Sequence, residues 1–148
     1  MFIQGKLSQL KDINQYALTA ANNTYREQLS RIFVEGRNSK GSQIGTYSPK
    51  YRELKDKKFG TGGNVNLVFT GQFRAAFSIA PNPMNNSVEL GFIDSGRRTL
   101  TGGSARVQNS EIREYNEDRY GAIFEMTDSE AANAQKAIEF KISEIING

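Results

Sequence analysis

Apolar residues recur at intervals of three and four along Leu7, Leu10, Ile13, Tyr16, Ala17, Ala20, Ala21, Tyr25, Leu29, Ile32 and Phe33. That spacing is the signature of one face of an amphipathic helix. It predicts a single helix over residues 7–35, about 43 Å long at a rise of ~1.5 Å per residue. Gly36 is a natural stop, because glycine can take the left-handed conformation after a last turn. Asn22-Asn23-Thr24 is the weakest stretch, since these residue types have poor helix propensity. A helix of this length spans a whole face of its domain, so the rest of the chain must pack along it.

The remaining elements are shorter. Ser48 and Pro49 open one helical turn carrying Tyr51, Arg52 and Leu54. Alternation in NVNLVF predicts a strand over 64–69, and Thr70 caps a short helix through GQFRAAF, with Phe73, Ala76 and Phe77 on one side. PNPMNN is a turn signal, SVELGFI at 87–93 a second strand, 105–117 a helix, and YGAIFEM at 120–126 a third strand. Thr127 and Glu130 form a capping box for a last helix reaching about Ile146. The expected fold class is α+β: a long N-terminal helix, a small, mostly antiparallel sheet of three to four strands, a C-terminal helix and two long glycine-rich loops. The 148 residues are expected to form a single domain with a flexible basic arm at about 37–63.

Apolar residues make up 37% of the chain, below the roughly 45–50% usual for globular domains. A core this thin suggests an elongated shape or a subunit that completes its burial against neighbours, and the second is the preferred expectation. Cysteine, histidine and tryptophan are absent. Disulfides, thiolate catalysis and cysteine-based metal sites are thereby excluded, and the commonest general base is missing. We expect no enzyme activity, no catalytic or metal-binding residues and no cofactor. No apolar run suits a signal peptide or a membrane span. The expectation is a protein made in a cytoplasm that contacts no membrane.

Charge is unevenly distributed. Residues 37–63 carry seven basic side chains, Arg37, Lys40, Lys50, Arg52, Lys55, Lys57 and Lys58, against the acids Glu53 and Asp56, a net +5. Residues 111–148 carry nine acids and four bases, a net −5. The seven bases are candidate inter-subunit or DNA contacts. Glu111, Glu114, Glu117 and Asp118 are the candidate acidic partner face.

Other chemistry is poorly supported. GTGG at 60–63 and TGG at 101–103 lack the Lys-Ser/Thr pair of a phosphate-binding loop. Carboxylate catalysis would require Asp94, Glu89 and Glu125 to converge. The 37–58 segment places Tyr47 and Tyr51 among bases, which suits phosphates and nucleobases, so a small non-specific DNA-binding protein is the alternative reading.

The order of the pieces carries a resemblance. A long amphipathic helix leads to FVEGRNSKGSQIGTYSPKYRELKDKK, then to NLVFTGQFRAAFSI, and finally to RYGAIFEMTDSEAANAQKAI. This order resembles the virion-morphogenesis and tail-completion proteins of tailed bacteriophages. The matching stretches are Gly41 to Lys58, Leu67 to Ser78 and Arg119 to Ile138. Ile44 stands where the family usually has a tryptophan-like aromatic, with Tyr47 three residues on, and 81–104 does not align. The resemblance implies a structural protein of the virion neck or head-proximal tail end, assembled in the host cytoplasm. It implies a homo-oligomeric ring, often six-fold, around the DNA channel, with other neck, connector or tail proteins as partners. Neither catalysis nor a cofactor is implied. On this reading the basic arm meets an acidic surface of a neighbouring copy within 111–144.

Overall fold

The computed structural model describes residues 13–59, 64–68, 71–82, 84, 87–94, 97–98 and 106–148. The coarse expectation holds: the protein is α+β, with a long N-terminal helical segment, two-stranded sheets and a C-terminal helix. The chain forms two compact units. The first holds the described residues up to Glu27, with 78–91 and 126–148, and the second holds 28–77 and 92–125.

Helix α1 spans Ile13–Gln28 and runs directly into a π-helical turn, Leu29–Val34. The expected start at residues 7–12 lies outside the described residues. In the first unit, α1 buries Ala20, Ala21 and Thr24. The Thr24 hydroxyl donates to the Ala20 carbonyl one turn back, at 3.1 Å, so its burial leaves no donor unpaired. The C-terminal helix, Asp128–Asn147, starts at the expected capping box. Thr127 Oγ1 accepts from the Glu130 amide at 3.0 Å, and the Glu130 carboxylate accepts from the Thr127 amide at 2.8 Å. Each end thus satisfies a donor the first turn would orphan. Asn133 Nδ2 on this helix donates to Glu27 Oε1 on α1 at 3.3 Å.

In the second unit the π turn has a particular consequence. Its wider winding lets three consecutive side chains, Arg31, Ile32 and Phe33, all be buried. Gly36 then ends the helix with φ +67°. Phe33 joins Phe73, Phe77, Phe92 and Phe124 in an aromatic core. Phe73 and Phe92 stack at 4.3 Å, and Phe92 meets Phe124 edge-on at 5.0 Å. Such pairs add about 0.5–1.5 kcal/mol each beyond the area they bury. Phe73 comes from helix α3, Gln72–Ala76. The expected cap for that helix, Thr70, lies outside the described residues.

The sheet is smaller than expected. Strand β1, Phe77–Asn82, pairs with β2, Ser87–Phe92, and β3, Arg97–Arg98, pairs antiparallel with β4, Arg106–Val107. The described strands therefore form two two-stranded sheets rather than one of three to four strands. β1 runs from Phe77 to Asn82, so Phe77 of the expected short helix and Pro81 and Asn82 of the expected PNPMNN turn belong to a strand. Residues 83, 85 and 86 of the expected PNPMNN turn, 95–96 and 99–104 of the second loop expected at 94–104, and residue 105 of the expected helix lie outside the described residues. The helix expected at 105–117 instead occupies Asn109–Tyr120, because Arg106 and Val107 are drawn into pairing with β3.

Two expected strands are not strands. Among the described residues 64–68, only Asn64 pairs, with Thr46. Leu67 takes φ +55°, and Asn66 Oδ1 accepts from the Val68 amide at 3.2 Å, so the chain turns instead of pleating. Phe69 lies outside the described residues. At 120–126 several backbone groups are taken by side chains instead of a neighbouring strand. The Ile123 and Phe124 amides donate to Glu117 Oε1, and the Ile123 and Glu125 carbonyls accept from Arg31. The Ala122 carbonyl accepts from the Ser39 amide at 3.2 Å, and the backbone groups held by side chains are not available to a ladder.

Candidate assembly interface

The basic segment is built on the Gly36 turn. Gly36 O accepts from the Ile44 amide at 2.8 Å, and Arg37 bridges to Gln43. The Asn38 side chain accepts from the amides of Lys40 and Ser42, closing a tight loop. Gly45 then packs so closely against the Tyr120 ring that a methyl group there would sit 3.1 Å from it. Helix α2 follows at Pro49–Phe59, with proline at its first position. The expected single helical turn is corrected: a bridged turn at 37–43 leads to an eleven-residue helix, Pro49–Phe59. The GTGG stretch at 60–63 lies outside the described residues.

Lys55 anchors α2. Its side chain is only 1% exposed. The ammonium donates to Asn66 Oδ1 at 2.6 Å and to the Tyr47 hydroxyl at 3.4 Å, and it lies 4.5 Å from the Tyr47 ring centroid. The aromatic face and the two oxygens partly replace its lost water. Burial pushes the Lys55 pKa below the ordinary lysine value, with nearby Asp56 opposing. The same burial raises Tyr47 and Tyr51. Lys55 is thus withdrawn from the predicted contact surface. It is a structural post, and the run Lys-Asp-Lys-Lys gave no signal of that.

The other bases sit outward. Arg37 is exposed; its guanidinium donates to Gly41 O at 2.7 Å and lies 3.4 Å from Glu35. Lys40, Lys50, Arg52, Lys57 and Lys58 are exposed, and Lys57 pairs with Glu53 at 2.9 Å. Leu54 is exposed among them. Ser48, Lys50, Tyr51, Glu53, Leu54 and Lys57 line one shallow depression on α2.

The acidic candidates divide similarly. Glu111 accepts from the Gln108 amide at 2.7 Å at the start of Asn109–Tyr120, yet it remains exposed. Glu114 and Asp118 are exposed, as is Tyr115 between them. Glu117 turns towards its own chain instead, holding the Ile123 and Phe124 amides and Arg113 Nε at 3.2 Å. It therefore leaves the predicted partner face.

Sequence reasoning missed Arg31. Its buried guanidinium donates to the carbonyls of Arg37 and Ile123 at 3.1 Å and of Glu125 at 2.9 Å. Its position in a helical pattern gave no sign that it ties three segments together.

Asp94, one of the three carboxylates that catalysis would need, is engaged otherwise. It accepts from the Ser110 amide and hydroxyl, both at 2.8 Å, and these bonds lower its pKa. Glu89 is exposed on β2 in the first unit, and Glu125 is exposed in the second. Among the described residues no cluster of three carboxylates could hold a metal ion, and no helix is long and apolar enough to cross a membrane.

No family model matches this sequence, and neither a curated protein nor a solved structure matches it.

Proposed function

We propose that the chain is a structural subunit of a phage virion, forming a homo-oligomeric ring in the neck or tail end, where head and tail join around the DNA channel. The order of sequence motifs motivates the placement. The observation that carries the assembly reading is unfinished burial. Among the described residues eleven apolar side chains are buried, while eight large ones are exposed: Val34, Leu54, Met84, Ile93, Tyr115, Met126, Phe140 and Ile146. Single exposed apolar residues are ordinary on monomers. A nearly equal division in a chain only 37% apolar suits a subunit whose remaining surface is covered by neighbours.

Native mass spectrometry of the purified chain tests the assembly. The expected result is one closed multimer of fixed stoichiometry. Monomers at every concentration would overturn it. Antibody labelling of purified virions tests the placement. A single labelled band at the neck or tail end is expected, and virions free of the chain would overturn it.

A further inference from the structure

Helices α2 and Asn109–Tyr120 each display an exposed stripe with the same spacing. On α2 it is Lys50, Glu53, Leu54 and Lys57, and on the second helix it is Glu111, Glu114, Tyr115 and Asp118. Both follow the i, i+3, i+4, i+7 pattern, so each lies along one face over about 10 Å of helix. Each carries one large apolar residue at the i+4 position: Leu54 is 45% exposed and Tyr115 is 62% exposed. The first stripe is flanked by bases. The second is acidic, although Arg113 and Arg119 share its helix. Arg113 is paired with Glu117, and Arg119 donates to the Tyr115 hydroxyl at 3.3 Å.

We infer that the Lys50–Leu54–Lys57 stripe of one copy docks on the Glu111–Glu114–Tyr115–Asp118 stripe of a second copy. The inference rests on the ring reading and names its interface. The spacing lets the stripes match in either direction. Run parallel, they set Lys50 against Glu111 and Lys57 against Asp118; run antiparallel, they exchange those partners. Leu54 faces Tyr115 directly in the parallel case, which also sets Glu53 opposite Glu114; run antiparallel, Leu54 and Tyr115 are offset by one residue, about 1.5 Å along the axis. A central apolar contact ringed by opposite charges is the usual anatomy of a specific interface.

Both stripes are exposed on the same compact unit of one chain, so neither covers the other. Each copy therefore offers two different faces, and head-to-tail contacts between different faces build rings when the rotation closes. Duplex DNA is a poorer fit for the basic stripe. A face that tracks phosphates gains nothing from a leucine at its centre or from Glu53, which already engages Lys57 at 2.9 Å.

Charge reversal in the full-length chain tests this. Lys50→Glu with Lys57→Glu places acid against acid, and Glu111→Lys with Asp118→Lys places base against base in either direction. Each variant alone is expected to remain monomeric, its apparent dissociation constant raised on the order of tenfold or more. Mixing the two restores attraction at both junctions and is expected to restore the wild-type mass. Wild-type monomers would overturn the ring reading and the interface with it. A wild-type ring that survives either reversal unchanged would overturn the interface and leave the ring standing. So would reversals that abolish salt-dependent binding to duplex DNA while the native mass stays the same.

Circular dichroism checks that the variants fold. If a reversal unfolds the chain, cross-linking replaces it, since the sequence has no cysteine of its own. Leu54→Cys chains mixed with Tyr115→Cys chains should yield a disulfide-linked pair under mild oxidation, because the docked Cα atoms must approach within ~7 Å. A wild-type ring without that cross-link overturns the interface.

Discussion

The Lys55 ammonium lies 2.6 Å from Asn66 Oδ1, eleven residues further along the chain, and this bond holds α2 against the 64–68 turn. Asn66→Ala removes the closest oxygen from a buried cation and leaves the Tyr47 hydroxyl at 3.4 Å. A hydrogen bond to a charged group contributes about 1.5–3 kcal/mol, so a loss in that range is expected in urea unfolding. An unchanged midpoint would show that Lys55 is solvated after all.

Lys55 also gives stability a pH dependence. Burial lowers its folded pKa below the ordinary 10.5, so between the lowered value and 10.5 the unfolded chain binds more protons than the folded one. Stability contributed by this group therefore rises with pH across that window and is lowest below it. Lys55→Met keeps the aliphatic stem and removes the titration. The stability of the wild type relative to Lys55→Met should increase as pH rises from neutral towards 10. A difference that is flat or falls with pH contradicts the assignment. Measurements should stop short of the range where Tyr47 and Tyr51 ionise. Their raised values carry the opposite sign: stability is present below the ordinary tyrosine value and lost above it.

Arg31 supports a sharper comparison. Its guanidinium reaches the carbonyls of Arg37, Ile123 and Glu125 with a planar fork that lysine cannot reproduce. Arg31→Lys should lower stability by about 1.5–3 kcal/mol, and Arg31→Ala by more, since three carbonyls then lose their donor. Amide exchange should report the same event locally, with protection of Ile123 and Phe124 falling first. Equal stability of the lysine variant would mean that charge alone suffices.

These contacts explain what the sequence reveals and what it hides. The last helix is legible because its cap is local: Thr127 and Glu130 satisfy each other across three residues. The helix stop at Gly36 is legible for the same reason. The length of α2 is hidden, because the glycines on either side read as a loop and the helix is tied to the core by Lys55, fixed by Tyr47 and Asn66. The 120–126 segment shows strand-like residue types, yet several of its backbone partners are side chains, Glu117 and Arg31. Arg31 lies 92 residues from Ile123 in sequence, and no local pattern encodes that. Of the candidate contacts, Lys55 and Glu117 read as surface charges because both sit in charged runs. Their inward use depends on tertiary neighbours.

Gly36 should be intolerant of any side chain. Its φ of +67° strains other residues, and an added Cβ would lie 2.5 Å from the Val65 carbonyl oxygen. Gly41 has a similar φ of +78° but open space around the added atom. Gly41→Ala should therefore lose only the left-handed penalty, about 1–2 kcal/mol. Gly36→Ala should lose clearly more, because the Val65 backbone must also move. Equal losses in thermal unfolding would show that the Val65 contact relaxes freely.

Association should weaken with salt if exposed charge stripes guide it. Lys50, Lys57, Glu114 and Asp118 are all solvent-exposed. Attraction between such groups is screened beyond about 10 Å at 0.1 M salt and about 3 Å at 1 M. The Leu54–Tyr115 contact at the proposed centre is apolar and should not weaken in the same way. Sedimentation across that salt range is expected to show the dissociation constant of the assembly rising and then levelling off. In Leu54→Ala the charged contribution remains and the apolar one is reduced, so its salt curve should start weaker and stay parallel. Assembly indifferent to salt would remove the charged stripes from the interface. A Leu54→Ala curve that coincides with the wild type would remove its apolar centre.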